Sequence, residues 1–283
     1  MLQVNESSDQ LAAQYRDDGF CVARSALSSS EVNSLIDEAM RLCREEAMKL
    51  TGADAASGEA DNMARFLAIH FPHKISPLIR DTLAHPCIVD VLTRVIGPNV
   101  KSMQSMLFIK HAGKPGQAWH QDEDFIPTRD RSLGAAWIAL DDATVDNGCL
   151  WVIPGSHQPG ILWPLRQHSN PEYDSIPESF DFPYGDTDAI AVEVPAGSIV
   201  FFHGYLLHKS LKNRRKAGFR RALVNHYMSA ESLLPWWHSG GTAPATHDNR
   251  DIVLIAGSDP YAWKGIEERN RPYVRRETPA NNG

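Results

Sequence analysis

The sequence predicts an α+β fold with a mainly β core, and two changes of pattern along its 283 residues carry that prediction. Up to about residue 100 the apolar positions recur mostly at helical spacing. From there to about residue 230 they fall in short or alternating runs: "SMLFIK", "GAAWIAL", "CLWVI", "AIAVEV", "SIVFF" and "RALVNHYM". Turn residues separate these runs, as they separate strands. A helical first part followed by many strands reads as one domain, 1–283, built on a β-sandwich or barrel. Its parts are a helical region (about 1–100), a strand-rich core (about 100–230) and a C-terminal extension (231–283).

The elements follow in order. Ser28 with Glu31 forms a capping-box pattern, and Val32, Leu35, Ile36, Ala39, Met40 and Cys43 then share one helical face, which predicts a helix over 28–50. Residues 53–62 are small and polar and read as a loop. Residues 85–100 predict a short helix that opens near Pro86 and closes at Gly97-Pro98. Asn147-Gly148 marks a turn between "WIAL" and "LWVI", which makes these two residues turn formers rather than site residues. "PAGS" (195–198) marks another turn. Residues 165–186, rich in Pro, Asp, Ser and Asn, predict a long loop, a common form for a functional lid. The tail "RRETPANNG" is expected to fray.

Composition narrows the function. No stretch approaches the roughly 20 apolar residues of a membrane-spanning helix, and "MLQVNESSDQ" lacks a basic start and apolar run. No membrane association and a cytoplasmic location are therefore expected. Cys21, Cys43, Cys87 and Cys149 are scattered, with no C-x-x-C pair, which argues against zinc-ribbon and thioredoxin chemistry and for reduced thiols. A net charge of −7 argues against nucleic acid as a partner. The local exception is the basic cluster Lys209, Lys212, Arg214, Arg215 and Lys216. It reads either as a solvated loop, the preferred reading, or as a positive rim for an anionic substrate.

The chemistry starts from "AWHQDEDF", 118–125. Residues i and i+2 of a strand share a face, so His120 and Asp122 stand side by side, with Asp124 two steps further on. That is two-thirds of the set of two histidines and one carboxylate that holds Fe(II) with open positions. The remaining histidine should come from a distant strand. "SIVFFHGYLLHKS" (198–210) offers His203 and His208, and spacing does not choose between them. "GFRRALVNHY" (218–227) follows, with Arg220 and Arg221 at the start of a strand. An arginine there suits the far carboxylate of 2-oxoglutarate, although a solvated basic residue fits the pattern too.

Together these stretches resemble the phytanoyl-CoA dioxygenase family of Fe(II)/2-oxoglutarate oxygenases. The resemblance rests on "WHQDEDF", "WIALDDATVDNGCLWVIPGSHQPG", "AGSIVFFHGYLLHKSLKN" and "FRRALVNHY", with "YRDDGFCVARSALSSSEVNSL" at the start, and covers residues from about 10 to 230. It implies a double-stranded β-helix, a cupin-like jelly roll with N-terminal helices packed on it. It implies His120, Asp122 and His208 as metal ligands, in place of His203, Glu123 or Asp124. It implies Arg220, not Arg221, for the distal carboxylate of 2-oxoglutarate, helped by Ser210. Met106 and Trp137 match pocket-lining positions of the family, and both also suit ordinary core. Gln121 is a further candidate for co-substrate or substrate contact, although parity turns it to the opposite face from the ligands. The family also suggests a basic or polar residue from "FLAIHFPHK" (66–74) reaching the co-substrate, and His70 is the candidate.

The function implied is hydroxylation of an unactivated C–H bond, with Fe(II), 2-oxoglutarate and O2 as cofactors and ascorbate as a stimulant. Related halogenases carry a small residue in place of the carboxylate ligand, so Asp122 implies oxygenation. Loops 123–132 and 165–186 and the segment 235–265, with Trp236, Trp237 and His238, would choose the substrate. No long apolar tunnel is evident in them, which favours a small polar or anionic metabolite over an acyl-CoA of the phytanoyl type. The alternatives from other classes are a zinc hydrolase on the same ligands and a non-catalytic jelly-roll binding module. The expected partner is a small molecule, for a monomer or a homo-oligomer alike.

Overall fold

The computed structural model describes residues 6–51, 66–128, 130–232, 251–268 and 270–276. Among the described residues, four α-helices lie before the long strand that starts at Val100: α1 (Ser8–Asp18), α2 (Ser29–Thr51), α3 (Pro77–Thr82) and α4 (Pro86–Val95). The capping box of α2 is present, with Ser28 N donating to Glu31 Oε2 at 2.7 Å and Glu31 N to Ser28 Oγ at 3.3 Å. Helix α4 opens at Pro86 and stops just before Gly97, as expected. No described helix is long and apolar enough to cross a membrane.

The strands are β1 (Phe20–Ala23), β2 (Phe66–His70), β3 (Val100–His111), β4 (Gln117–His120), β5 (Gly134–Ala139), β6 (Leu150–Val152), β7 (Leu165–Arg166), β8 (Glu178–Ser179), β9 (Ile190–Val192), β10 (Ile199–His203), β11 (His208–Ser210), β12 (Phe219–Ser229), β13 (Val253–Ala256) and β14 (Tyr273–Arg276). The larger sheet runs β1-β10-β5-β12-β3-β2-β14, with β13 also on β3, and the smaller runs β4-β11-β6-β9. This is the jelly roll that the resemblance implies.

Alternation along the strands divides the core in two. From β10, Ile199 and Phe201 join a cluster with Leu11, Leu35, Leu42, Ile79 and Val91 of the helices. Val200 and Phe202 turn the other way and pack with Trp137, Val152, Val192 and Val224 between the sheets. Burying each such side chain contributes about 1.5–3 kcal/mol. The helices thus cover one face of the larger sheet and leave its other face for the cavity.

Three details depart from the sequence reading. Asn147-Gly148 does form a turn, with Gly148 at φ 82°, but it joins β5 and β6 of different sheets. The loop at 165–186 carries the short β7–β8 ladder. The tail does not fray at its start: Arg275 and Arg276 belong to β14, which pairs with β2 because its extended residues find a free sheet edge. The four cysteines are free thiols. Trp236, Trp237 and His238 lie outside the described residues.

Candidate metal centre

Strand pairing builds the centre. On adjacent antiparallel strands β4 and β11, His120 and His208 are direct cross-strand partners, with ring centroids 4.1 Å apart. Strand β4 ends at His120, and Asp122 opens a short 3-10 turn. Gln121 between them keeps an extended backbone (φ −125°, ψ 128°), so the alternation of faces survives one residue beyond the strand. Asp122 Oδ1 lies 3.8 Å from His120 Nε2 and 3.6 Å from His208 Nε2. One donor atom from each of the three residues falls within 4.8 Å of the others, and all three residues are buried.

The second nitrogen of each imidazole sets its tautomer. His120 Nδ1 donates to the Ala118 carbonyl at 2.8 Å and His208 Nδ1 to the Leu206 carbonyl at 2.9 Å. Nε2 of each ring is left as the lone-pair donor toward Asp122. Burial and the neighbouring His208 push the His120 pKa down to about 3, so that ring is neutral at neutral pH. Burial alone would raise the Asp122 pKa, but the imidazoles of His208 and His226 hold it below the usual carboxylate range. Two imidazoles and one carboxylate are the donor set that suits Fe(II).

His226, which the sequence reading missed, completes this shell. Its Nε2 lies 3.1 Å from Asp122 Oδ2, and the ring is buried. The signal was present: on β12, Arg220, Val224 and His226 share parity and so one face.

The same face lines a cavity of about 690 Å³, partly open to solvent, which holds the three candidate ligands together with Met106, Trp137, Ser210 and Arg220. Arg220 is buried, and its Nε has no hydrogen-bond partner among the described residues. Its guanidinium sits 5.4 Å from the Trp137 ring centroid, and burial lowers its pKa to about 10. Arg221 points the other way and is bound at both ends to Asp141, at 2.8 and 2.6 Å. Lys110, a second residue missed from the sequence, is the cross-strand partner of Arg220. It donates to Ser210 Oγ at 2.9 Å and to the Leu211 carbonyl at 2.6 Å. Burial and the Arg220 charge drive its pKa well below the ordinary lysine value.

One candidate does not reach the cavity. Gln121 is fully buried but turned away, as parity requires. Its amide nitrogen donates to the Ile161 and Tyr205 carbonyls at 2.9 and 2.7 Å, and its oxygen accepts from Trp163 N at 2.9 Å. Every contact ties down backbone, leaving none for a co-substrate. His70 is the cross-strand partner of the cavity-lining Met106; its ring stacks on Tyr273 of β14 at 4.3 Å, and its Nε2 is buried without a partner among the described residues. His203 accepts from Tyr205 N at 3.0 Å, and its ring lies 5.3 Å from that of His157. The basic cluster divides: Lys212 and Arg214 pair with Glu172 of the long loop, whereas Lys209 lines the cavity over the Trp119 ring.

Residues 15–222 match the family model described as Phytanoyl-CoA dioxygenase (PhyH). The chain belongs to the phytanoyl-CoA dioxygenase family. A relative in Arabidopsis thaliana, Phytanoyl-CoA dioxygenase, is 34% identical over 146 residues, covering 51% of this chain and 50% of that protein. The peroxisomal Phytanoyl-CoA dioxygenase of Rattus norvegicus is 31% identical over 233 residues, covering 77% of this chain and 67% of that protein. The matches thus span from half to two-thirds of these relatives' lengths. The epimerase SnoN, solved in complex with Fe3+, alpha ketoglutarate and nogalamycin RO, shares the fold, with a TM-score of 0.65 and 21% identity over 88% of this chain and 98% of that one. The relatives are named as members of one enzyme class, the dioxygenases. The donor set and the orphaned Arg220 guanidinium fit that class: one suits Fe(II), and the other awaits a carboxylate.

Proposed function

We propose that this chain hydroxylates an unactivated C–H bond of a small polar or anionic metabolite, releasing succinate and CO2. The observation that carries the reading is a two-histidine, one-aspartate cluster sharing a cavity with a buried arginine that no described carboxylate pairs. His120 and His208 hold Fe(II) through Nε2, and Asp122 does so through a carboxylate oxygen that His226 keeps oriented. Arg220 takes the distal carboxylate of 2-oxoglutarate, for which its planar fork is suited. Ser210 and Lys110 add a hydroxyl and an amine at the same end. Met106 and Trp137 wall the co-substrate, and Leu150, Phe202 and Val224 keep the cavity dry. The chemistry supplied by bound iron and co-substrate is oxidative decarboxylation of 2-oxoglutarate coupled to insertion of oxygen into a C–H bond; the protein orients the reactants and excludes water.

The test is succinate release from 2-oxoglutarate by purified protein with Fe(II) and O2. Turnover that needs all three supports the reading; hydrolysis with zinc and no iron-dependent succinate would replace it with a hydrolase, in which Arg220 has no role. The names of the relatives favour a second reading, an acyl-CoA 2-hydroxylase. Tight coupling of succinate formation to a long acyl-CoA would decide for it.

A further inference from the structure

One cation in the cavity has no part in holding iron or co-substrate. Arg275 stands on edge strand β14, in register with Ala68 of β2, which pairs in turn with Phe108 of β3. All three therefore share the cavity face, and the Arg275 guanidinium lies 5.7 Å from the Phe108 ring centroid. Nη2 meets Asp174 Oδ2 at 3.2 Å, while Nε is buried without a partner among the described residues. Asp174 is itself anchored: its N–H donates to the Gly116 carbonyl at 2.9 Å, and Oδ1 accepts from Ile176 N at 3.2 Å. The guanidinium thus meets one carboxylate through Nη2 and leaves its Nε proton unused. Arg275 and Asp174 both line the cavity of the metal centre.

The charge around it points the same way. Lys209, Arg220 and Arg275 line the cavity as cations, against the carboxylates of Asp122 and Asp174. Fe(II) and dianionic 2-oxoglutarate cancel one another on loading, so the positive surplus persists and favours an anion.

We propose that Arg275 receives a carboxylate of the primary substrate on the guanidinium donors that Asp174 leaves free, so that the enzyme acts on a small carboxylic acid. The proposal rests on the reading of the chain as a 2-oxoglutarate oxygenase. A guanidinium has five donors, and a single contact with Asp174 leaves donors for a second carboxylate. In this arrangement the charge of Asp174 opposes a second carboxylate on Arg275. A mere strut between β14 and the long loop would behave differently, because breaking it from either side would have the same effect.

The experiment is an anaerobic titration of protein loaded with Fe(II) and 2-oxoglutarate, followed through the visible charge-transfer band of the iron chelate. The titrants are short straight-chain and 2-amino carboxylic acids, the primary amide of each, and the matching phosphonates. Acids are expected to shift the band where their amides do not. Arg275→Gln weakens the acids about 10- to 100-fold, Arg275→Lys recovers part of the loss, and Asp174→Asn leaves acid affinity equal or tighter. The 2-oxoglutarate affinity of all three variants matches wild type, which also shows that they fold. The proposal is overturned if no acid shifts the band, if amides or phosphonates bind as well as acids, if Arg275→Gln and Asp174→Asn weaken binding alike, or if Arg275→Gln weakens 2-oxoglutarate. Failure of the wild-type protein to form the band would instead sink the oxygenase reading.

Discussion

Arg220 and Arg221 adjoin in sequence and differ in environment, so the same substitution should give them opposite signatures. Arg220→Leu removes a buried guanidinium whose Nε has no partner. Without co-substrate that group is a cost of about 1–3 kcal/mol for an unsatisfied buried donor, and leucine beside Trp137 removes it. The ligand-free variant should therefore melt at least about 2 °C above wild type. With 2-oxoglutarate present the sign reverses. Losing hydrogen bonds to a charged group costs about 1.5–3 kcal/mol, which raises the co-substrate Kd roughly 10- to 150-fold. Arg221→Leu breaks the ion pair with Asp141, whose side chains are 13% and 20% exposed, and should cost about 1–3 kcal/mol of stability for the carboxylate left behind. It leaves the 2-oxoglutarate Kd unchanged. Thermal melts without ligand and calorimetric titration with 2-oxoglutarate measure both arms. A destabilised ligand-free Arg220→Leu with normal affinity, or a larger loss of affinity in Arg221→Leu, would refute the assignment of the two arginines.

His226→Phe deprives Asp122 Oδ2 of its imidazole partner and should weaken Fe(II) binding about 10- to 100-fold, read by competition with a chelator; unchanged affinity would show that the contact is not used. Gln121→Ala removes three hydrogen bonds to backbone and should cost about 2–4 kcal/mol in denaturant melts without changing the 2-oxoglutarate Kd. A raised Kd there would return Gln121 to the co-substrate site. Lys110→Met should raise that Kd by roughly 3- to 10-fold, less than Arg220→Leu, because Lys110 is already partnered by Ser210 and Leu211; an effect as large as that of Arg220→Leu would make Lys110 the main anchor.

The sequence carried the fold where one local rule was enough. The capping box at Ser28 and Glu31, the stop at Gly97-Pro98 and the alternating runs of β3, β5, β10 and β12 were legible because helix periodicity and strand parity act over a few residues. Parity also turned Gln121 away from His120 and Asp122, against the co-substrate contact suggested for it. What stayed hidden depended on distant pairing. The stacking of Tyr273 on His70 is one example, since nothing local to "FLAIH" announces β14. Lys110 read as the end of an apolar run, because its cavity position comes from register with Arg220. Arg275 sat in a tail expected to fray, and reaches the cavity only because β2 presents an open edge. The choice of Arg220 over Arg221 came from resemblance; the structure adds the physical ground, since Arg221 is spent on Asp141.

The most direct test of the central claim is equilibrium binding of Fe(II), with the 2-oxoglutarate charge-transfer band as its signature, across single alanine variants of His120, Asp122, His208 and His203. The wild-type protein should bind a single Fe(II) per chain and form the band; the first three variants should lose both, and His203→Ala should keep both. Iron binding that survives loss of His208, or that vanishes with His203, would contradict the account.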